Sequence, residues 1–246
     1  MGFDDVYDNP TLFEAEHQAT SLDLTFWGSI VSKLKPKCIL DVGCGTGRIA
    51  CEIIDQVDYY CGIDSSKEFI EYFKSINNNS KAEIVNGDIF DYDFSCKFNC
   101  IILPENFIAQ IESSTLLEVL FKRLGNFLDN DGVIVVDYYN PQLRFLDNKI
   151  EDIHCYDFIY ENELISTFET HKYNALKQIN LIERKYYLNN KLIKKSKLPI
   201  RVYFPRELEY IIKKSNLKIK NKFGDYNFNE VNEFSPQLIY CLEHSS

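Results

Sequence analysis

The sequence predicts an α/β fold in which helices cover both faces of a parallel sheet and an antiparallel β cap is inserted after the fifth strand. The first observation is length, since 246 residues can build one sizeable core and still carry an elaboration. The second is the alternation of short apolar runs with amphipathic helical segments up to about residue 140, which is typical of a parallel sheet. The third is a long stretch between about residues 157 and 204 that reads as extended chain.

Five strands and three helices are predicted in the alternating part of the chain. The short apolar runs place strands at residues 38–42, 59–63, 82–85, 99–103 and 133–138. Helical spacing of apolar residues places helices at 48–56, 67–75 and 116–127. Gly132 follows three consecutive Asp and Asn residues, which predicts a turn directly before the fifth strand.

The second half of the chain is predicted to form hairpins and then return to the sheet. Residues rich in aromatic and β-branched side chains give extended runs at 158–160, 164–170, 179–188 and 191–204. Asn189 and Asn190 predict a hairpin turn between the last two runs. A helix at 205–214 begins with Pro205, which is favourable at the first helical position. Strands at 217–223 and 237–242 are expected to complete the sheet.

Composition excludes several classes of protein. The net charge of −10 argues against a general nucleic-acid binder, because phosphate contacts require concentrated Lys and Arg. The sequence has no apolar run of the roughly 20 residues needed for a membrane span, and its first residues lack the layout of a signal peptide. Several of the eight cysteines lie in apolar strand-like runs and none forms a Cys-x-x-Cys pair. We therefore expect a soluble cytoplasmic protein with reduced thiols and no metal site.

Three alternate glycines follow the first predicted strand, directly behind an acidic residue. Asp41 is followed by Gly43, Gly45 and Gly47, and the predicted helix begins next to them. A ligand is therefore expected at the carboxyl edge of the strand and the amino end of the helix. A dinucleotide-binding turn would read Gly-x-Gly-x-x-Gly, but Arg48 occupies the place of its last glycine. The carboxylate of Asp41 also suits a cationic ligand better than a pyrophosphate.

The glycine turn resembles the cofactor loop of class I (Rossmann-like) S-adenosylmethionine-dependent methyltransferases, which usually reads acidic-x-Gly-x-Gly-x-Gly. Segments 201–209, 223–226 and 235–240 resemble the carboxyl-terminal half of the small-molecule and peptide-amine branch of that family. The resemblance spans most of the chain and implies a seven-stranded sheet whose last strand is antiparallel. It implies S-adenosylmethionine as cofactor and S-adenosylhomocysteine as product.

On this resemblance the chain divides into three parts. Residues 1–150 are expected to hold amino-terminal helices and the cofactor-binding core, and residues 151–204 the inserted cap on the substrate side. Residues 205–246 are expected to form the carboxyl-terminal part of the core sheet.

Acidic residues at the ends of successive strands are the main candidates for binding the cofactor. Asp64 ends the second strand, where a carboxylate can accept hydrogen bonds from both ribose hydroxyls; capping of the next helix is the alternative. Asp88 follows the third strand, and the resemblance implies that it accepts from the adenine amino group while Ile89 packs on the ring; a simple turn is the alternative. The full predicted cofactor set is Asp41, Gly43, Cys44, Gly45, Thr46, Gly47, Asp64, Ser65, Asp88, Ile89 and Leu103.

Candidates for the acceptor side come from the loops over the sheet edge and from the cap. Methyl transfer needs alignment of the reacting atoms rather than a covalent residue. The candidate bases or orienting groups are His171, Glu105 and Tyr139. His171 is included because imidazole titrates near neutral pH, and a structural role is its alternative. The predicted substrate-binding residues are Tyr7, Trp27, Asn106, Tyr138, Arg201 and Tyr203. The alternative for Trp27 is burial against the sheet in a helix from about residue 22 to residue 34.

These observations predict a methyltransferase that acts on an amine or hydroxyl of a small metabolite or short peptide. The segment after the fourth strand, Leu103-Pro104-Glu105-Asn106-Phe107, lacks the Asp/Asn-Pro-Pro-aromatic motif of enzymes that methylate adenine or glutamine amides. Two alternatives remain open: a catalytically silent S-adenosylmethionine-binding regulatory or scaffold protein, and an RNA or protein methyltransferase. The expected partner is a small-molecule or peptide substrate, with neither DNA nor a membrane involved.

Overall fold

The computed structural model describes residues 7–19, 22–146 and 149–245. Within them the helices are α1 (Pro10–Gln18), α2 (Leu24–Leu34), α3 (Ala50–Ile53), α4 (Lys67–Ile76), α5 (Ser114–Phe127) and α6 (Pro205–Lys214). The strands are β1 (Cys38–Val42), β2 (Tyr59–Asp64), β3 (Ala82–Asn86), β4 (Phe98–Leu103), β5 (Leu128–Tyr139), β6 (Ile150–Tyr160), β7 (Glu163–Asn174), β8 (Ile179–Leu188), β9 (Lys191–Arg201), β10 (Leu217–Phe223) and β11 (Gln237–His244). No helix within the described ranges has the length and apolar composition needed to cross a membrane.

The chain packs into two compact units. The core unit consists of residues 22–140 and 204–245, and the cap unit consists of residues 7–19 and the described part of 141–203. The predicted boundaries of the three parts, at residues 150 and 204, stay predictions.

The core unit is built on a seven-stranded sheet with the order β10-β11-β5-β4-β1-β2-β3. The strands β1 to β5 run parallel to one another, and β11 runs antiparallel to both β5 and β10. The carboxyl ends of the parallel strands therefore meet at one edge, where ligands of open α/β sheets bind. The predicted fold class is confirmed, including the antiparallel strand that the resemblance implied.

Apolar side chains hold helices against both faces of this sheet. On one face α2 contributes Phe26 and Ile30 to a buried cluster that also contains Phe73 of α4 and Val135 of β5. Successive strand residues face opposite sides, so the intervening residues, such as buried Ile134, serve the other face. Helices α5 and α6 pack on each other and bury one apolar side each.

The structure differs from several of the predicted elements. The extended run expected at 158–160 begins earlier, at Ile150. The helix expected at 48–56 is only one α turn, which tightens into a 3-10 turn at Ile54–Gln56. The backbone N–H groups of Asp58 and Tyr59 both donate to the carbonyl of Lys37, which fixes the start of β2 shortly after the 3-10 turn. The turn expected at Gly132 lies inside β5, which begins at Leu128, and the register with β4 shifts there.

The cap unit contains a four-stranded antiparallel sheet with the order β6-β7-β8-β9. Helix α1 packs on this sheet through Leu12, which joins Phe158, Ile165 and Tyr186 in a small apolar cluster. The same helix places the buried carboxylate of Glu16 among polar groups of the sheet, where it accepts from the hydroxyls of two tyrosines and from Arg184. The predicted inserted hairpins are confirmed by the pairing of these four strands.

The β8–β9 turn gives a prediction about the stability of the cap unit. Asn189 and Asn190 have φ angles of 49° and 62°, as in the turn type that favours Asn-Gly. We expect Asn190→Gly to raise the free energy of unfolding by about 0.5 kcal/mol, because glycine adopts positive φ without steric cost. Asn190→Ala should lower it by about 1 kcal/mol. Denaturant unfolding measures both, and equal effects of the two substitutions would contradict the assignment.

Candidate functional site

The turn from β1 to α3 requires glycine at alternate positions. Gly43, Gly45 and Gly47 have φ angles of +75°, +54° and +87°, which side-chain-bearing residues rarely adopt. A Cβ atom at Gly43 would lie 2.5 Å from the ring of Phe107, and one at Gly47 would lie 2.3 Å from the ring of Phe73. Backbone conformation and packing therefore both demand glycine in this loop.

Hydrogen bonds hold the glycine loop against the end of β2. The amides of Gly43 and Cys44 donate to the carbonyl of Ile63 at 2.8 and 3.1 Å, and the amide of Gly45 donates to Oδ2 of Asp64 at 3.0 Å. Three loop amides bond within the protein and α3 is a single turn, so fewer amides are left to bind a pyrophosphate than at the start of a long helix. The geometry thus favours the cationic ligand over the dinucleotide.

Asp64 holds the loop and also has capacity for a ligand. Its Oδ1 accepts from the amide of Ser66 at 2.8 Å, and its Oδ2 accepts from Gly45. Burial raises the pKa of this carboxyl group, although the two backbone bonds oppose the shift. Each carboxylate oxygen can accept two hydrogen bonds, so Asp64 can still accept from ribose hydroxyls, as predicted.

Asp41 lies fully buried on β1 beneath the loop. Its Oδ2 accepts from the hydroxyl of Tyr60 at 2.7 Å, while no group among the described residues donates to its Oδ1. Burial raises the pKa of Asp41 to about 7, and the Tyr60 bond only partly offsets this effect. A buried carboxylate oxygen without a donor is costly, and a ligand carrying an amino group would satisfy it.

The loop after β3 is supported by an arginine on α5. Arg123 donates to the carbonyl of Ile89 at 2.7 Å and to that of Tyr92 at 2.6 Å. Ile89 is buried, and Asp88 is exposed with its Oδ1 accepting from the amide of Phe90 at 2.9 Å. The turn that was the alternative for Asp88 is therefore present, and its exposed carboxylate stays a predicted adenine contact. Among the other predicted cofactor residues, Cys44, Thr46 and Leu103 are buried and Ser65 is exposed.

A buried arginine links the glycine loop to two carboxylates. The guanidinium of Arg48 makes two parallel bonds of 2.8 Å to Asp23, which precedes α2, and it also donates to Glu105 after β4. The indole of Trp27 donates to the same Asp23 at 3.3 Å. These bonds raise the pKa of Arg48 above its usual value, although burial opposes the shift. Asp23 was not predicted, and the only sequence signal for its role was Arg48 in the place of a glycine.

Asp137 near the end of β5 is a second residue that sequence reasoning missed. Its side chain is fully buried, and its Oδ2 accepts from the hydroxyl of Tyr226 at 2.9 Å. No described group donates a hydrogen bond to its Oδ1. Burial raises the pKa of Asp137 to about 7, and the nearby carboxylates of Asp23 and Glu105 raise it further against the effect of the Tyr226 bond.

The structure brings together some of the predicted acceptor-side residues of the core unit. Oδ1 of Asn106 accepts from the amide of Tyr139 at 2.6 Å, and Glu105 precedes Asn106 in the same loop. Tyr138 is fully buried with its ring 4.6 Å from that of Tyr139. Trp27 is also fully buried, as in the alternative that it packs against the sheet. Glu105, Asn106 and Tyr139 are partly exposed, and Glu105 is the one that pairs with Arg48.

The remaining predicted residues lie in the cap unit, where each has local partners. One ring nitrogen of His171 contacts Glu169 at 3.0 Å and the other contacts the amide of Asn180 at 3.0 Å. Arg201 is buried with its guanidinium 4.5 Å from the ring of Tyr203, which is buried too. The ring of Tyr7 lies 6.2 Å from that of Phe13. These contacts give His171 a structural role within the cap sheet, and its catalytic role stays a prediction.

Comparison with known proteins agrees with this geometry. Residues 39–132 match the family model described as a methyltransferase domain. A cypemycin N-terminal methyltransferase from a Streptomyces species is 25% identical over 143 residues, which are 55% of this chain and 57% of that protein. This match therefore spans little more than half the length of the relative.

Solved structures share the fold over nearly the whole chain. An S-adenosylmethionine-dependent methyltransferase from Clostridium acetobutylicum has a TM-score of 0.79 at 16% identity, covering 96% of this chain and 97% of that one. An amino pentose methyltransferase from Micromonospora echinaspora, solved with S-adenosylmethionine bound, has a TM-score of 0.76 at 11% identity and covers 98% of this chain and 100% of its own. The fold class is confirmed, and the resemblance to S-adenosylmethionine-dependent methyltransferases is supported by the matched methyltransferase domain and by the solved structures.

The buried carboxyl group of Asp137 predicts a pH-dependent stability. Its pKa of about 7 exceeds the ordinary value of 3.8, so the folded protein holds a proton there that the unfolded chain releases. The contribution of this protonated carboxyl group to the free energy of unfolding is fully present below about pH 4 and is lost as pH rises to about 7. We expect the difference in free energy of unfolding between Asp137→Asn and the wild type to grow by about 2 to 4 kcal/mol in favour of the variant from pH 5 to pH 8.

Denaturant unfolding at pH 5 and pH 8 measures this gain. The control Asp131→Asn replaces an exposed carboxylate in the first part of β5, and its difference from the wild type should not change between the two values of pH. A pH-independent difference for Asp137→Asn would contradict the prediction.

Proposed function

We propose that this chain, whose fold and methyltransferase domain are those of the class I S-adenosylmethionine-dependent methyltransferases, transfers a methyl group to an amine or hydroxyl of a small metabolite or short peptide. The proposal rests mainly on the glycine loop, which is hydrogen-bonded to the end of β2 and flanked by Asp41 and Asp64. The N-terminal acceptor named for the cypemycin enzyme and the amino pentose named for the Micromonospora enzyme support the class of substrate.

The residues of the site fit the cofactor in three respects. The three glycines leave the loop without side chains, so that a ligand can approach its backbone closely. The Asp41 oxygen without a donor matches an amino group, and the remaining acceptor capacity of Asp64 matches a ribose diol. The exposed carboxylate of Asp88 and the buried side chain of Ile89 are our proposed adenine contacts.

In the proposed mechanism the protein aligns the reactants and excludes water. S-adenosylmethionine supplies an activated methyl group on a sulfonium, so no covalent enzyme intermediate is needed. The loop after β4 is held by Arg48 on Glu105 and by the bond between Asn106 and the backbone of Tyr139. Holding this loop in place keeps the reactants aligned, and such alignment can lower the activation barrier by several kcal/mol.

Isothermal titration with S-adenosylmethionine and S-adenosylhomocysteine tests the proposal. We expect both to bind. If neither ligand binds at millimolar concentration, the proposal is refuted. Asp64→Ala should weaken S-adenosylhomocysteine binding by about 1 to 3 kcal/mol, because the ribose hydroxyls lose their acceptor. Asp58→Ala, which removes an exposed carboxylate just before the opposite end of β2, is the matched control and should leave the affinity unchanged.

Turnover separates the proposed enzyme from its alternatives. A panel of amino sugars, short peptides and hydroxylated metabolites, assayed by release of S-adenosylhomocysteine, should yield product with at least one acceptor. Cofactor binding without turnover on such a panel would favour the silent regulatory protein. Salt-sensitive binding of RNA would favour the RNA-modifying alternative. We further propose a cytoplasmic location, which the free state of all eight cysteines supports.

A further inference from the structure

The loop after β4 belongs to a cluster with more acidic than basic groups. The cluster consists of Asp23, Arg48, Glu105 and Asp137, all in the core unit. Two of its carboxylates bond directly to the single guanidinium of the cluster, and the third lies close enough for the other two to raise its pKa. With Asp23 and Glu105 ionised, the cluster carries at least one net negative charge even when Asp137 is protonated.

Glu105 is the member through which this charge reaches solvent. The side chains of Asp23 and Arg48 are 7% and 8% exposed, and that of Glu105 is 34% exposed. Asp137 is fully buried, with no donor to its Oδ1 among the described residues. A cation that approaches the cluster from outside therefore meets the carboxylate of Glu105 first.

The position of Glu105 is fixed from two sides. Arg48 is itself held by the two parallel bonds to Asp23, a geometry that a guanidinium provides and an ammonium does not. The backbone at Glu105 and Asn106 has positive φ angles of 52° and 58°, and the Asn106 side chain bonds the backbone of Tyr139. Because Arg48 follows Gly47 directly, the carboxylate of Glu105 lies one side chain away from the glycine loop.

We propose that Asp23 and Arg48 are positioning residues that hold the Glu105 carboxylate beside the transferred methyl group, and that the acceptor is consequently an amine. This inference rests on the proposed function. In the reaction a nitrogen–carbon bond forms, the carbon–sulfur bond breaks with its electron pair returning to sulfur, and positive charge moves onto nitrogen. A fixed carboxylate next to that nitrogen stabilises the transition state more than the neutral amine that attacks. The product ammonium then releases its proton to water.

A hydroxyl acceptor fits this cluster less well. An alcohol must lose its proton as it attacks, so its site needs a base or a group that stabilises developing negative charge. The anionic cluster would instead oppose such charge on the acceptor oxygen. The charge of the cluster thus selects between the two acceptor classes of the proposed function.

Sinefungin tests the proposal without knowledge of the natural acceptor. This cofactor analogue carries an ammonium group where S-adenosylmethionine carries its sulfonium methyl, while S-adenosylhomocysteine is neutral at that place. We expect the full-length wild type to bind sinefungin at least tenfold more tightly than S-adenosylhomocysteine by isothermal titration at pH 7.5. Glu105→Gln should reduce this preference to less than threefold, because the amide keeps the shape and removes the charge.

Variants of the positioning residues separate orientation from general stability. Arg48→Lys keeps the charge but loses the fork of two bonds to Asp23, and Asp23→Asn weakens the same fork. Both should reduce the preference for sinefungin by about threefold to tenfold. A merely structural role would lower the affinities for both ligands together and leave their ratio unchanged. Glu243→Gln removes a carboxylate at the opposite edge of the sheet, where Glu243 pairs with two lysines, and should leave the ratio at its wild-type value.

The outcomes distinguish this inference from the proposed function. Equal binding of sinefungin and S-adenosylhomocysteine by the wild type, or a ratio unaffected by Glu105→Gln, would overturn the inference while the cofactor site stands. If neither sinefungin nor S-adenosylhomocysteine binds, the proposed function itself is refuted. A matched pair of acceptors, alanyl-alanine and lactyl-alanine, adds a direct check, since methylation of the hydroxyl compound in preference to the amine would also overturn the inference.

Discussion

The hydrogen bonds between the glycine loop and the end of β2 determine where every other part of the site lies. The carbonyl of Ile63 accepts two loop amides, and Asp64 accepts a third. These bonds set the point at which the chain leaves β1, and Arg48 follows immediately. Its guanidinium then reaches both the start of α2 and the loop after β4. Three segments that are distant in sequence are thereby held by one short turn.

The site gathers acidic groups that repel one another, and the fold compensates for this repulsion in two ways. Arg48 neutralises part of the charge through bonds to Asp23 and Glu105. Burial favours the protonated forms of Asp41 and Asp137, whose pKa values are raised to about 7. Near neutral pH the site can therefore take up or release protons as ligand charge changes. A cationic ligand and these protons compete for the same carboxylates.

Local patterns sufficed to predict much of the fold, because strand runs and the glycine turn are encoded by neighbouring residues. The turn expected at Gly132 is wrong because β5 already begins at Leu128, which pairs with Phe98 of β4 ahead of a register shift, and this pairing depends on tertiary contacts. The start of β2 shortly after the short helix likewise involves a bond between Asp58 and Lys37, 21 residues apart in sequence. Asp23 and Asp137 could not be found in sequence, since only the folded chain brings them to Arg48 and Glu105. The predicted ends of β1 and β2, by contrast, placed Asp41 and Asp64 correctly beside the loop.

The contact between Gly47 and Phe73 links the glycine loop to α4 and restricts which substitutions the two positions can accept. The Phe73 ring fills the space that a side chain at position 47 would need, with a Cβ there only 2.3 Å away. A chain that exchanged this glycine would need both a smaller residue at 73 and a different backbone path. A side chain at position 47 is therefore excluded while position 73 remains phenylalanine, whereas a smaller residue at 73 does not require a change at 47. Related chains would be expected to keep the glycine wherever they keep the large aromatic residue.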